Sequence, residues 1–172
     1  MAFVTTDIPA YTYGIPENNL VAYGIGATQQ LYVGAIALVS GSGSVTQGYL
    51  KNAATPGTAD LVAGLVGGPA GGTQVQTGPG VVGGTADGNV WADVRTGSFM
   101  FQNSALAPVT MTNVGKTVYY EGENANGPIV RGTSTGGYPS LGILLPQDPG
   151  ILNNYIPGSN YWPVKLNTIG GP

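Results

Sequence analysis

Of 172 residues, 30 are Gly and 13 are Pro, yet 42 % are hydrophobic and only 8 % carry charge, a balance that collapses rather than staying disordered. Five Lys and Arg cannot lay down the basic stripe that nucleic acid requires. Without His or Cys, the chain also lacks the usual ligands for zinc, copper, haem and iron–sulfur clusters, and the commonest catalytic base and thiol nucleophile. The expectation is a protein with no cofactor, no metal, no nucleic-acid partner and no enzymatic activity, and with no disulfide to report on its compartment.

The segment Met1 to Asp7 has no basic residue before an apolar run, so a secretory signal is not expected. The longest apolar stretch, Leu31 to Val39, falls far short of the roughly twenty residues of a membrane-spanning helix. The expectation is therefore a product made and left soluble in the cytoplasm, with no membrane partner.

Residues 1–27 carry Pro9, Pro16, Tyr11, Tyr13 and Tyr23 without helical periodicity and read as an extended arm. Aromatics on such an arm are costly in water, so it is expected to lie on something, either the same domain or a neighbouring subunit. Residues 28–172 read as an all-β domain. Gln30 to Val39 is rich in branched and aromatic residues and predicts a strand. Ser40 to Ser44 is turn chemistry, and Val45 to Leu50 is the return strand of a hairpin. Asp60 to Val66 is ambiguous between a strand and a short helix. Residues 67–88 are the most glycine-rich and predict a loop, or a place where two backbones approach closely.

The clearest strand is Asn89 to Thr96, with Val90, Ala92 and Val94 on a core face and Trp91, Asp93 and Arg95 on a wet one. Gly97 allows a bend into Ser98 to Gln102, where Phe99 and Phe101 share a side. A turn at Asn113 to Gly115 leads to a strand through Glu121. Asn126-Gly127 suits a tight hairpin turn, with Ile129 to Arg131 as the return. Tyr138 to Leu145 and Tyr161 to Asn167 are the last strands, and Pro163 suits an edge position. No stretch of ten residues shows helical amphipathicity. The predicted fold is all-β, a single small β-sandwich or barrel-like domain with an extended N-terminal arm and long Gly/Pro-rich loops.

Few constellations could carry chemistry. Asp93 and Arg95 suit a surface ion pair, and Trp91 beside them could add a cation–π contact or form a sugar-binding platform; a solvent face or subunit contact is the simpler reading. Glu121 with Glu123, or Asp87 with Asp93, would be the carboxylate pairs for glycoside hydrolysis, but Glu121 and Glu123 flank a turn and are expected to be solvated. The oxygen-rich stretches Asp87-Gly88-Asn89 and Glu121 to Asn126 match no complete calcium loop and read as polar turns. What remains is a surface rich in Tyr, Trp, Gly, Ser, Thr and Asn and poor in charge, the composition of surfaces covered by other protein.

One family shares the motifs of the second half. The run Gly97-Ser98-Phe99-Met100-Phe101-Gln102-Asn103, the turn Thr110-Met111-Thr112-Asn113-Val114-Gly115-Lys116, and Gly142-Ile143 before the closing Trp162-Pro163-Val164 strand resemble the small capsid decoration (cement) proteins of tailed bacteriophages, over residues 90–166. The resemblance implies an all-β domain on the outer capsid surface of the virion, assembled as a homotrimer and clamping neighbouring major capsid protein subunits, with an extended arm reaching the lattice. It implies lattice anchors at Phe3, Tyr11, Tyr13 and Tyr23, and subunit contacts at Trp91 or Trp162. Rival expectations are another virion component, such as a head fibre, tail or receptor-binding module, and a carbohydrate-binding β domain that uses Trp91.

Overall fold

The computed structural model describes residues 6–8, 11–13, 19–41, 45–54, 56–57, 59–71, 79–147 and 160–167. It is all-β: thirteen strands and one 3₁₀ turn, Met111–Asn113, lie among these residues. The strands are β1 (Tyr11–Thr12), β2 (Asn19–Gly24), β3 (Gln30–Leu31), β4 (Ile36–Val39), β5 (Leu50–Asn52), β6 (Leu61–Pro69), β7 (Val81–Val82), β8 (Trp91–Thr96), β9 (Ser98–Asn103), β10 (Thr117–Asn124), β11 (Gly127–Arg131), β12 (Ser140–Leu144) and β13 (Tyr161–Leu166).

Two rings of five strands account for nearly all the pairing. In the first, the order is β2-β8-β6-β4-β5, and Ile25, just past β2, bridges Leu50 of β5 in parallel and brings the ends together. In the second, the order is β9-β11-β10-β12-β13, closed by pairing of β13 with β9. In the second ring this closure leaves neither end strand without a partner, whereas in the first β2 meets β5 only through the Ile25–Leu50 bridge.

The two barrels have the same topology. In each, the first strand lies parallel to the third and antiparallel to the fifth, while the second pairs with both the third and the fourth. The match extends to single residues. Ala37 faces Gly64 and Val118 faces Gly142, after which both ladders slip, Leu38 facing Val62 and Tyr119 facing Ser140. Leu65 faces Arg95 as Ile143 faces Lys165, and Gly24 faces Trp91 as Gln102 faces Tyr161. Gly34 (φ 82°) donates its N–H to Val66 C=O at 2.9 Å, and Gly115 (φ 78°) donates to Leu144 C=O at 2.9 Å. The chain is thus an internal structural repeat, with Val33-Gly34, Gly64 and Val94 recurring as Val114-Gly115, Gly142 and Val164; the other strand positions matched in this way differ.

Gly64 and Gly142 show why some positions are retained. A Cβ on Gly64 would lie 2.3 Å from Arg95 O, and one on Gly142 would lie 2.1 Å from Lys165 O, so the matching strand crosses too close for any side chain.

The interiors differ in size. The first barrel is filled by Ile25, Leu31, Ala37, Leu50, Ala63, Val66, Val81, Ala92 and Val94, and the β3–β7 pair supplies Leu31 and Val81. At the positions of Ala37, Ala63 and Ala92 the second barrel places Val118, Leu141 and Trp162, which pack with Phe99, Phe101, Tyr120 and Val164. Ile36, Leu38, Val62 and Leu65, on the outer side of the first barrel, join this second core. Their counterparts Thr117 and Ser140 are exposed and Tyr119 and Ile143 half-buried, because that side of the second barrel is not covered in the same way.

Several expectations change. The predicted arm ends earlier: residues 19–25, expected within it, form the end strand and closing bridge of the first barrel, because Val21 and Tyr23 pair with Val94 and Ala92. The expected all-β, barrel-like architecture is present, in the form of two five-stranded barrels. Gln30 to Val39 is two strands broken by a turn at Gly34. Within Asp60 to Val66, Leu61 onward is strand, and β6 runs on through Gly67-Gly68-Pro69, into the expected loop. The turn between β10 and β11 is Ala125-Asn126, and Gly127 pairs with Asn124 rather than sitting in the turn. Pro163 is not on an edge. It lies between β9 and β12, tolerated because its backbone groups face the end of β12, where Leu145 N–H donates to Pro163 C=O at 2.8 Å.

Candidate interaction surface

Tyr11 and Tyr13, expected as anchors, dock on the second barrel of their own chain. Tyr11 pairs with Met100, and its ring meets Tyr161 edge-on, with centroids 5.9 Å apart and planes at 82°. Tyr13 N–H donates to Ser98 C=O at 2.9 Å and its hydroxyl to Pro146 C=O at 2.8 Å. These contacts cover Met100 and Tyr161, which are buried. Tyr23 is half-buried on β2, and burial raises its hydroxyl pKa. Phe3 lies outside the described residues.

Trp162 is not a surface contact: it is buried in the second barrel's core, where period two places it alongside Val164. Trp91 is 48 % exposed and sits with Asp93 and Arg95 on the outer face of β8, as its alternation predicts. The neighbouring β2 adds exposed Leu20 and Ala22, which face Arg95 and Asp93 across the ladder. The result is an apolar strip, Leu20–Ala22–Trp91, edged by one acid and one base. No ion pair joins Asp93 and Arg95 among the described residues. Leu20 was within reach of sequence reasoning, since Leu20 and Ala22 alternate with Val21 and Tyr23, but the prolines and glycines of residues 1–27 hid a strand there.

Charge is buried elsewhere. Glu123, expected to be solvated, is 1 % exposed at the junction of the barrels, where its Oε1 accepts the Ile36 N–H at 2.6 Å. Burial pushes its carboxyl up to about 7, outweighing the Ile36 amide and the Tyr120 hydroxyl, which favour the charged form. Burial, reinforced by the Glu123 charge, pushes the Tyr120 hydroxyl well above its ordinary value. Glu121, its supposed partner, turns instead to the Ser104 hydroxyl at 2.6 Å and to Arg131 at 3.7 Å, and the Arg131 guanidinium lies 3.8 Å over the Tyr138 ring.

Lys51 occupies the position in the first barrel that Arg131 holds in the second, and it pairs with Asp60 at 2.7 Å. Burial pushes the Asp60 carboxyl up, but Lys51 and the Gly57 and Gly41 amides more than offset this and hold it below its ordinary value. Asp60 also lines a cleft between the barrels with Leu61, Ser134, Tyr138 and Ser140, of about 250 Å³. Its carboxylate is already engaged by Lys51 and by the Gly57 and Gly41 amides.

Asp87 accepts the Ala27 N–H at 2.7 Å and is held below its ordinary pKa first by the Thr46 hydroxyl and then by that amide, which makes it a loop clasp. Among the described residues no group of three or more acidic side chains gathers as a metal site. No helix among them is long and apolar enough to cross a membrane. Comparisons with family models, curated proteins and solved structures give no match for this chain.

Proposed function

We propose that this protein is a structural virion component that binds the outer surface of an assembled bacteriophage capsid and stabilises it by clamping neighbouring major capsid subunits. The observation that carries the reading is the exposed strip of Leu20, Ala22 and Trp91 on a double-barrel scaffold whose buried charges are committed to structural roles. An apolar patch edged by polar residues marks a protein-contact surface. The low overall charge and the decoration-protein motifs of residues 90–166 favour a capsid lattice as the target and a homotrimer as the assembly. Such a protein needs no chemistry: a ligand that binds the assembled state and not the free subunit stabilises it by an amount that grows with the logarithm of ligand concentration over Kd, so tighter binding stabilises it more.

The test is to incubate the purified chain with heads stripped of it, sediment them, and melt the heads with and without it. Co-sedimentation and a raised head melting temperature are the expected results; full-length chain left in the supernatant overturns the reading. The exposed Trp91 beside Asp93 also suits a sugar ring, and glycan binding lost on Trp91→Ala, without head binding, would favour that second reading.

A further inference from the structure

The internal repeat makes each barrel a control for the other, and one edge differs between them. In the second barrel, β9 pairs with β13 on one side, while its other side takes β11 near the end and β1 over Phe99 and Met100. In the first barrel, the matching strand β2 pairs with β8 on one side and bridges β5 near its end. Among the described residues, nothing fills the place that β1 takes on β9.

That edge is equipped to receive a strand. Ile25 N–H donates to Val90 C=O at 2.9 Å, so by alternation residues 21, 23 and 25 turn their backbone groups to β8, and Leu20 and Ala22 turn theirs outward. Ser98, the counterpart of Leu20, uses its carbonyl to accept the Tyr13 N–H at 2.9 Å. The side chains agree. Met100 and Tyr161, beneath β1, are 3 % and 7 % exposed; their counterparts Ala22 and Trp91 are exposed, and Leu20 is 55 % exposed. Leu20-Val21-Ala22-Tyr23-Gly24 has no proline and no charge, the devices that usually blunt an open edge.

We propose that the edge of β2 left unpaired among the described residues is a strand-docking site, filled by an extended segment of the capsid subunit that carries an aromatic residue to stack on Trp91. The chemistry is copied from Tyr11-Thr12-Tyr13 on the sister barrel: backbone hydrogen bonds supply affinity, and an edge-on aromatic pair fixes register. A second copy of this chain is the poorer occupant, because Tyr11-Thr12-Tyr13, the described segment of this chemistry, is engaged on its own β9.

This inference rests on the capsid-binding reading, and the experiment separates the two. Wild-type chain, Ala22→Pro and Trp91→Ala are each sedimented with stripped heads, and amide exchange is followed in a peptic fragment covering residues 19–24 of the wild type with and without heads. Proline at 22 removes an outward N–H while leaving the β8 ladder intact; exchange in the wild type gives a readout that does not depend on how that variant folds. The expected results are exchange slowed at least tenfold on heads and at least tenfold weaker head binding for both variants. Wild-type chain that sediments with unchanged exchange in this fragment, or an Ala22→Pro chain that binds like wild type, overturns the docking site and leaves the capsid reading standing. Wild-type chain that does not sediment overturns both. Protection that rises with chain concentration in the absence of heads makes a second copy the occupant and overturns the proposal.

Discussion

Glu123 ties the pH dependence of stability to the junction between the barrels. Its carboxyl titrates near 7 in the folded chain against an ordinary value of 4.5, so the native state holds a proton that the unfolded chain has released. Stability is therefore complete below about pH 4.5, falls as the pH rises to about 7, and levels above it. Across that window the loss amounts to about 3 kcal/mol. The lowered pKa values of Asp60 and Asp87 act elsewhere: their contributions are lost only as the pH falls below 3.8. Glu123→Gln keeps a carbonyl oxygen for the Ile36 N–H and cannot ionise, so its unfolding free energy is expected to be level from pH 5 to 7, where the wild type declines. Urea unfolding at pH 5, 6, 7 and 8, for both chains, is the assay. A wild-type profile that is flat, or a decline of the same slope in Glu123→Gln, refutes the assignment.

Other perturbations follow from the same coordinates. Gly64→Ala and Gly142→Ala each drive a Cβ into a carbonyl of the crossing strand, so each is expected to cost at least about 1–3 kcal/mol, with the larger loss at Gly64, whose φ of 151° a side chain also resists, measurable as a fall in thermal midpoint. Lys51→Met leaves the buried Asp60 carboxylate without its cation and should cost about 3–5 kcal/mol in urea unfolding, most of it recovered by adding Asp60→Asn. Tyr11→Ala removes the edge-on contact with Tyr161 and should lower stability by about 1 kcal/mol, whereas Trp91→Ala, on an exposed face, should shift it by less than about 0.5 kcal/mol while weakening head binding.

How much was legible in the sequence varies by element. Strand β8 was fully legible, because alternation over Val90 to Thr96 divides its residues between core and solvent, and the structure buries Ala92 and Val94 and exposes Trp91 and Arg95. Strand β2 was not, because its pattern is short and set among prolines and glycines; only its partner β8 reveals it as part of a barrel. The fate of the aromatics was equally illegible. Tyr11, Trp91 and Trp162 look alike as exposed anchors in a list of residues, yet one lies against its own barrel, one faces water and one fills a core.

Composition and alternation by themselves determined an all-β chain with little charge, because those properties depend on residue type and on the period-two geometry of a strand. Only the tertiary structure decided that the chain is the same five-stranded barrel twice over. The repeat lies in hydrogen-bond register and in close backbone crossings at Gly64 and Gly142, which constrain few side chains, so the two halves share topology with little shared sequence. The third dimension also decided where charge is buried, since Glu123 lies next to a hairpin turn in the chain and against Ile36 of the other barrel in space.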